Sequence, residues 1–170
     1  QSSAFQVASQ RLRADREIAM VALQRHGYSL QFASNELRQD KAVVLAAVRH
    51  CGSALAYAPE FQDDREVVEA AVQRNGCSLR YALASLREEK DVVLMAVRQK
   101  GFALQFASEN LQMDHEVVIQ ALHTDLSVLE LVKSNLWRDS NFKSQVRRLF
   151  GENPHVASFL GCTLKRRRLL

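Results

Sequence analysis

Four glycines, Gly27, Gly52, Gly76 and Gly101, recur at steps of 25, 24 and 25 residues, and the text around each recurs with them. Leu30, Leu55, Leu79 and Leu104 keep the same step, as do Phe32, Tyr57, Tyr81 and Phe106, and Ala33, Ala58, Ala82 and Ala107. Asp15, Asp40, Asp64, Glu89 and Asp114 mark the other boundary of each unit. A unit this short cannot bury its own apolar face, so units must stack on one another. The second unit is one residue short, at Tyr57-Ala58-Pro59, where proline replaces the fuller Phe32-Ala33-Ser34-Asn35 text. Phe5-Gln6-Val7-Ala8-Ser9 aligns with Leu30-Gln31-Phe32-Ala33-Ser34, so the chain is expected to enter in mid-repeat, as a piece of a longer one.

Each acidic marker is followed by helical text. Ile18, Ala19, Ala22 and Leu23 form one stripe of a 3.6-residue helix, and Val43, Val44, Ala47 and Val48 repeat it. The aspartates sit where an N-cap carboxylate accepts from free backbone N–H groups, with Glu17, Glu66, Asp91 and Glu116 adding favourable charge to the first turn. Arg25, Arg49, Arg74, Arg98 and Lys100 close the helix, and the repeated glycine follows where a left-handed cap is expected. The reading is a helix of about 11 residues, then a shorter one from about Ser29 to Leu37, with Ser29 and Ser78 as caps. Ala22, Ala47, Ala71, Ala96 and Ala121 hold one position in the long helices, which predicts a close approach of backbones there.

The expected fold is all-α: an α-solenoid of stacked short helical hairpins over residues 1–125, with a helical C-terminal cap and basic tail over 126–170. At the cap the expected glycine is Leu126. Asp139 to Phe150 reads as a further helix, Asn153-Pro154 breaks it, and a short segment runs from His155 to Leu160. Trp137, the single tryptophan, either plugs the last hairpin or anchors a partner.

A second period of 49 residues lies above the first. Asp15-Arg16-Glu17 and Gln24-Arg25-His26-Gly27-Tyr28-Ser29-Leu30 are echoed by Asp64-Arg65-Glu66 and Gln73-Arg74-Asn75-Gly76-Cys77-Ser78-Leu79. The duplicated unit is therefore a pair. Together with the stretch Val92-Val93-Leu94-Met95-Ala96-Val97-Arg98-Gln99-Lys100-Gly101-Phe102-Ala103-Leu104-Gln105-Phe106-Ala107-Ser108, this pairing resembles the domain-of-unknown-function 4116 repeat family, over about residues 5 to 122. The resemblance implies a helical repeat scaffold and brings no catalytic activity, cofactor or site residue with it.

Composition narrows the function classes. The chain has 170 residues, 47% of them apolar, with six glycines and two prolines, which fits a packed helical protein and disfavours linker-rich or turn-rich all-β folds. No apolar run reaches the roughly 18 residues of a membrane span. The net charge of +4 is uneven: residues 1–128 hold 14 basic and 16 acidic side chains, whereas residues 129–170 hold 9 and 3. Lys165-Arg166-Arg167-Arg168 is the densest cluster and suits an acidic partner, RNA or a membrane surface. Cys51, Cys77 and Cys162, an odd number without close pairing, predict an intracellular, reducing compartment, cytosolic or organellar.

Catalytic patterns are missing from the text. His26, His50, His115, His123 and His155 include no i, i+4 pair for zinc, and there is neither a phosphate loop nor a dinucleotide fingerprint. Asp63-Asp64 and Glu88-Glu89 read as helix starts. The expectation is a non-catalytic protein-protein scaffold or assembly subunit, with no cofactor, metal or small-molecule substrate. Its contacts are sought at Gln31, Arg80 and Gln105, which with Ala56 form the variable ladder behind the repeated leucine, and at Trp137, Arg166, Arg167 and Arg168. The alternative is an RNA-binding repeat protein. The last-turn arginines weaken it, because Arg25 and Arg74 stand two residues before their glycine and Arg49 and Arg98 three.

Overall fold

Each long helix begins at its acidic marker. The computed structural model describes residues 4–158 and 160, and its frame is six long α-helices: α1 (Arg16–Arg25), α2 (Lys41–His50), α3 (Arg65–Arg74), α4 (Lys90–Gln99), α5 (His115–Thr124) and α6 (Ser140–Phe150). The Asp15 carboxylate accepts from the amides of Glu17 and Ile18, and Asp40 from those of Ala42 and Val43. Asp64, Asp114 and Asp139 cap α3, α5 and α6 in the same way, whereas the Glu89 side chain makes no cap bond to α4. One methylene more carries its carboxylate away from the helix end.

A 3-10 helix follows each of the first five long helices: Gly27–Phe32, Gly52–Tyr57, Gly76–Tyr81, Gly101–Phe106 and Leu126–Glu130. Helices α1 to α5 stack in sequence order as one row, and the 3-10 helices stack beside them as a second. Between the rows lies one apolar core, with Leu23, Leu30, Leu55, Leu79 and Leu104 at most 1% exposed. Among the described residues there is no strand, so the chain is an all-α repeat solenoid.

The hairpin's second arm differs from the expected Ser29–Leu37 helix. It is the 3-10 helix, an extended step at Ala33 and Ser34, and a four-residue α-helix, Asn35–Arg38. The step is held from outside the unit. The Ser34 amide donates to the Arg13 carbonyl, and Leu83 and Ser108 donate likewise to Gln62 and Arg87. Pro59 stands at the same offset from Arg38 and has no N–H to give, which is where the second unit is short. Ser34 and Ser9 are caps here, accepting from Leu37 and Leu12. Ser29 and Ser78 are not; both lie buried inside 3-10 helices.

The glycines also act differently from a left-handed cap, since no described residue has a positive φ. Their role is spatial. A Cβ at Gly52 would come under 3.0 Å from the carbonyl oxygen of Ala71, and Gly27, Gly76 and Gly101 meet the carbonyls of Ala47, Ala96 and Ala121 in the same way. The glycine ladder and the alanine ladder are thus two sides of one joint, made between consecutive units. Ala47, Ala71, Ala96 and Ala121 are fully buried, while Ala22, at the first position, is half-buried.

Residue 125 ends the glycine text, but the element order runs on to α6, whose cap Asp139 stands 25 residues after Asp114. Three substitutions coincide in this last joint: Leu126 for glycine, Val146 for alanine, and Phe142 for the valine of Val67, Val92 and Val117. With both small residues enlarged, α6 leans on the Leu136–Arg138 turn and does not stack on α5 as α5 does on α4. Aromatic rings fill the wider joint, Phe142 lying 5.2 Å from the His115 ring and Phe150 4.7 Å from His123.

Candidate interaction surface

Two ladders run along the array, one structural and one exposed. The first residue of each of α1 to α5 is basic or histidine, and its side chain reaches the acidic marker of the next unit. Arg16 meets Asp40 at 3.0 Å, Lys41 meets Asp64 at 2.8 Å, Arg65 meets Glu89 at 2.6 Å, Lys90 meets Asp114 at 2.8 Å and His115 meets Asp139 at 3.2 Å. Lys41 and Lys90 also hold Glu66 and Glu116. These pairs place the N-termini of successive long helices side by side, so the helices are parallel. From sequence the acids read as caps alone; the basic residue behind each one is the available sign of the second role.

The pairs set an acid limit on stability. The Arg16 guanidinium holds the Asp40 carboxyl below the ordinary range, and Lys41 does the same for Asp64. At Asp114 burial pushes the carboxyl up, but Lys90 and the Val117 amide outweigh it and carry it down. A carboxyl that is more acidic folded than unfolded adds stability that is complete above its unfolded pKa and is lost as pH falls through the lowered folded value. The melting temperature is expected to hold between pH 7 and about 5 and to fall below about pH 4. Lys41→Gln should blunt that fall. A melting curve unchanged down to pH 3 would rule the ladder out as a contributor.

The second ladder lies on the 3-10 row. Phe32, Tyr57, Tyr81 and Phe106 close successive 3-10 helices and are half-buried, packed against the core on one side. Tyr28 and Phe102 add exposed rings at 49% and 39%, and Tyr28 stands edge-on to Tyr57 at 6.4 Å. Gln31, Arg80 and Gln105 are exposed beside these rings. The Arg80 guanidinium lies over Tyr81 at 5.3 Å and over Phe106 of the next unit at 5.6 Å, which fixes it between two units. Three of the four positions of the variable ladder are therefore exposed along one row with the aromatic rings, and the fourth, Ala56, is half-buried. From sequence the rings read only as repeat markers; their half-exposure is not legible there, because an aromatic at a fixed step reads as core.

Trp137 is not on this row. It is half-buried at the far end and packs edge-on against Phe142 at 5.3 Å. It occupies the position of Gln62 and Gln112, whose side-chain amides donate to carbonyls of the 3-10 helices, Gln112 to Gln105 O at 3.1 Å. The opposite face, along the long helices, carries shallow grooves lined by residues of both signs, among them Arg49, Glu66, Glu69, Arg74, Asp91 and Arg98. Arg74 is used internally, donating to the His50 carbonyl at 2.8 Å.

Among the described residues no three of His, Cys, Asp and Glu gather as metal ligands, and Cys51 and Cys77 are free thiols. No described helix is long and apolar enough to cross a membrane. Arg166, Arg167 and Arg168 of the basic tail, and Cys162, lie outside the described residues.

With the joints and the row in view, comparison with known proteins identifies the scaffold. The family model described as Domain of unknown function (DUF4116) matches three times, over residues 2–38, 40–87 and 89–137, and the chain belongs to that family. The second and third matches open at Asp40 and Glu89, so the family's own unit is the pair of hairpins, and it reaches beyond the boundary at 125. No curated protein and no solved structure matches the chain.

Proposed function

We propose that this array is a non-catalytic protein-interaction scaffold, or a structural subunit of a larger assembly, which meets its partner along the 3-10 row. The observation that carries the reading is the aromatic ladder from Tyr28 to Phe106, half out of the core, with the side chains of Gln31, Arg80 and Gln105 beside it. Aromatic and arginine side chains at the edge of a rigid surface are the groups that concentrate binding energy in protein interfaces. Stacked repeats hold such groups at fixed spacing and vary them from unit to unit, which is how a scaffold acquires a specific partner. Free, half-exposed thiols at Cys51 and Cys77 favour a reducing compartment.

RNA is the competing partner. Against it, Arg16, Lys41, Arg65 and Lys90 are engaged by acids within the array, which takes that row of cations out of use as a basic stripe. Affinity capture from the native source, with half of each sample treated with ribonuclease, separates the two. The expected result is a set of partners that survives ribonuclease and falls at least about tenfold for a Gln31→Glu, Arg80→Glu, Gln105→Glu variant whose melt matches the parent. Partners lost on ribonuclease would overturn the scaffold reading and move attention to Arg166, Arg167 and Arg168.

A further inference from the structure

The 3-10 row has a fixed pitch and almost no charge. Successive units stack side by side, and packed helices stand about 8 to 10 Å apart, so the row presents one half-buried ring per step of that size, at Phe32, Tyr57, Tyr81 and Phe106. The Arg80 guanidinium bridges one such step, 5.3 Å from the Tyr81 centre and 5.6 Å from that of Phe106, so these two centres are no further apart than the two distances together. The segments Gly27–Phe32, Gly52–Tyr57, Gly76–Tyr81 and Gly101–Phe106 contain no Asp or Glu, and their single charge is Arg80. It is exposed, and among the described residues two rings hold it and no carboxylate does.

We propose, resting on the scaffold reading above, that the partner segment docked on this row is proline-rich, lies in the polyproline II conformation, and carries Asp or Glu where it crosses Arg80. A polyproline II helix turns once every three residues, about 9.3 Å, so every third residue meets the ring of the next unit, and proline-rich segments of this kind seat in aromatic-lined grooves. Their carbonyls have no internal partner, and the exposed Gln31 amide and Arg80 guanidinium beside the rings are donors for them. Other conformations miss the spacing. An extended strand returns to one face about every 6.8 Å. An α-helix returns about every 5.4 Å, which sets every second contact between rings, on the Arg80 guanidinium in the step from Tyr81 to Phe106. The lone cation, on a row without acids, selects a carboxylate in the ligand.

The probe is an oligoproline of about twelve residues, enough to cross four rings, with one central Asp, titrated into the isotopically labelled chain. Amide shifts are expected within residues 52–57, 76–81 and 101–106. The same peptide with Lys for Asp should bind about fivefold or more weakly, and a Gly/Ser peptide carrying the same Asp should leave the row unshifted. Arg80→Glu, an exposed change, should reverse the preference, so that the Lys peptide binds more tightly than the Asp peptide. No shift with about 1 mM peptide, equal binding of the Gly/Ser peptide, shifts centred on the long helices, or an unchanged Asp preference in Arg80→Glu would overturn the proposal. If the peptide fails while ribonuclease-resistant partners are still captured, the scaffold reading stands and the proline-rich ligand falls. Oligouridine that binds the same residues more tightly than the peptide would overturn both.

Discussion

Gly76→Ala is expected to destabilise the array by about 3 kcal/mol or more, beyond the range of an ordinary overpacked methyl. The added carbon would stand under 3.0 Å from the Ala96 carbonyl oxygen, and that oxygen cannot swing aside, because it accepts the Lys100 amide at 2.9 Å as the end of α4. The Gln99 amide oxygen, which accepts the Gly76 N–H at 2.6 Å, closes the remaining side. Relief therefore requires the third and fourth units to move apart, which breaks the bonds between them. For a chain of this length the loss corresponds to a melting point lower by about 6 to 12 °C. A broken joint in a linear array also divides its cooperativity, so the thermal transition should broaden or split. Gly76→Asn distinguishes the cause. Asparagine tolerates a left-handed backbone better than alanine, so it would be the milder change if the glycine served as a left-handed cap. With the φ value on the ordinary side and the space closed, asparagine should be the more damaging of the two.

Ala71→Leu is the matching change on the other side of a joint and should cost about 1 to 3 kcal/mol by overpacking. Ala71 is 0% exposed, and its own carbonyl is the surface against which Gly52 rests. The last joint is a natural control. There a larger residue, Val146, occurs together with Leu126, and the two helices no longer stack closely. A leucine at 71 without a compensating change at 52 has no such freedom. An unchanged melting temperature for Ala71→Leu would remove the close-packing account of both ladders.

Much of this architecture is legible in the text because a repeat states each rule several times. Asp15, Asp40, Asp64 and Asp114 announce the helix starts, and the structure finds their carboxylates on the expected amides. The alanine ladder announces a close approach, and one is present. The second arm was misread because a six-residue segment such as Gly27–Phe32 does not separate a 3-10 period from an α period, and its end is fixed by the Arg13 carbonyl, a neighbour 21 residues away. The glycines were misread for a similar reason: a glycine after a helix has a common local explanation, and the actual cause, a carbonyl of the following unit, is visible only in three dimensions. The ion-pair ladder joins residues 24 apart in the chain, such as Arg16 and Asp40. It was in plain sight as an acid followed by a base, yet each acid was already accounted for as a cap.

The candidate surface was legible only in part. Variation at Gln31, Ala56, Arg80 and Gln105 pointed to a row of changing side chains, and three of the four are exposed. What the text could not provide was the half-exposure of Tyr57, Tyr81 and Phe106 beside them, since burial depends on how far consecutive 3-10 helices overlap. Trp137 met the opposite limit: a lone tryptophan near a chain end fits a plug and an anchor equally well, and its packing on Phe142 favours the plug.

The proposal that the 3-10 row is the working face is tested most directly by photo-crosslinking in the native extract. A benzophenone amino acid is placed singly at Gln31, Arg80 and Gln105 on that row, and at Arg49, Gln73 and Arg98 on the long-helix face, all six being exposed. The account expects one recurrent protein adduct from the first three positions, resistant to ribonuclease, and none of it from the second three. Adducts from Arg49, Gln73 and Arg98 alone, or adducts to RNA, would contradict it.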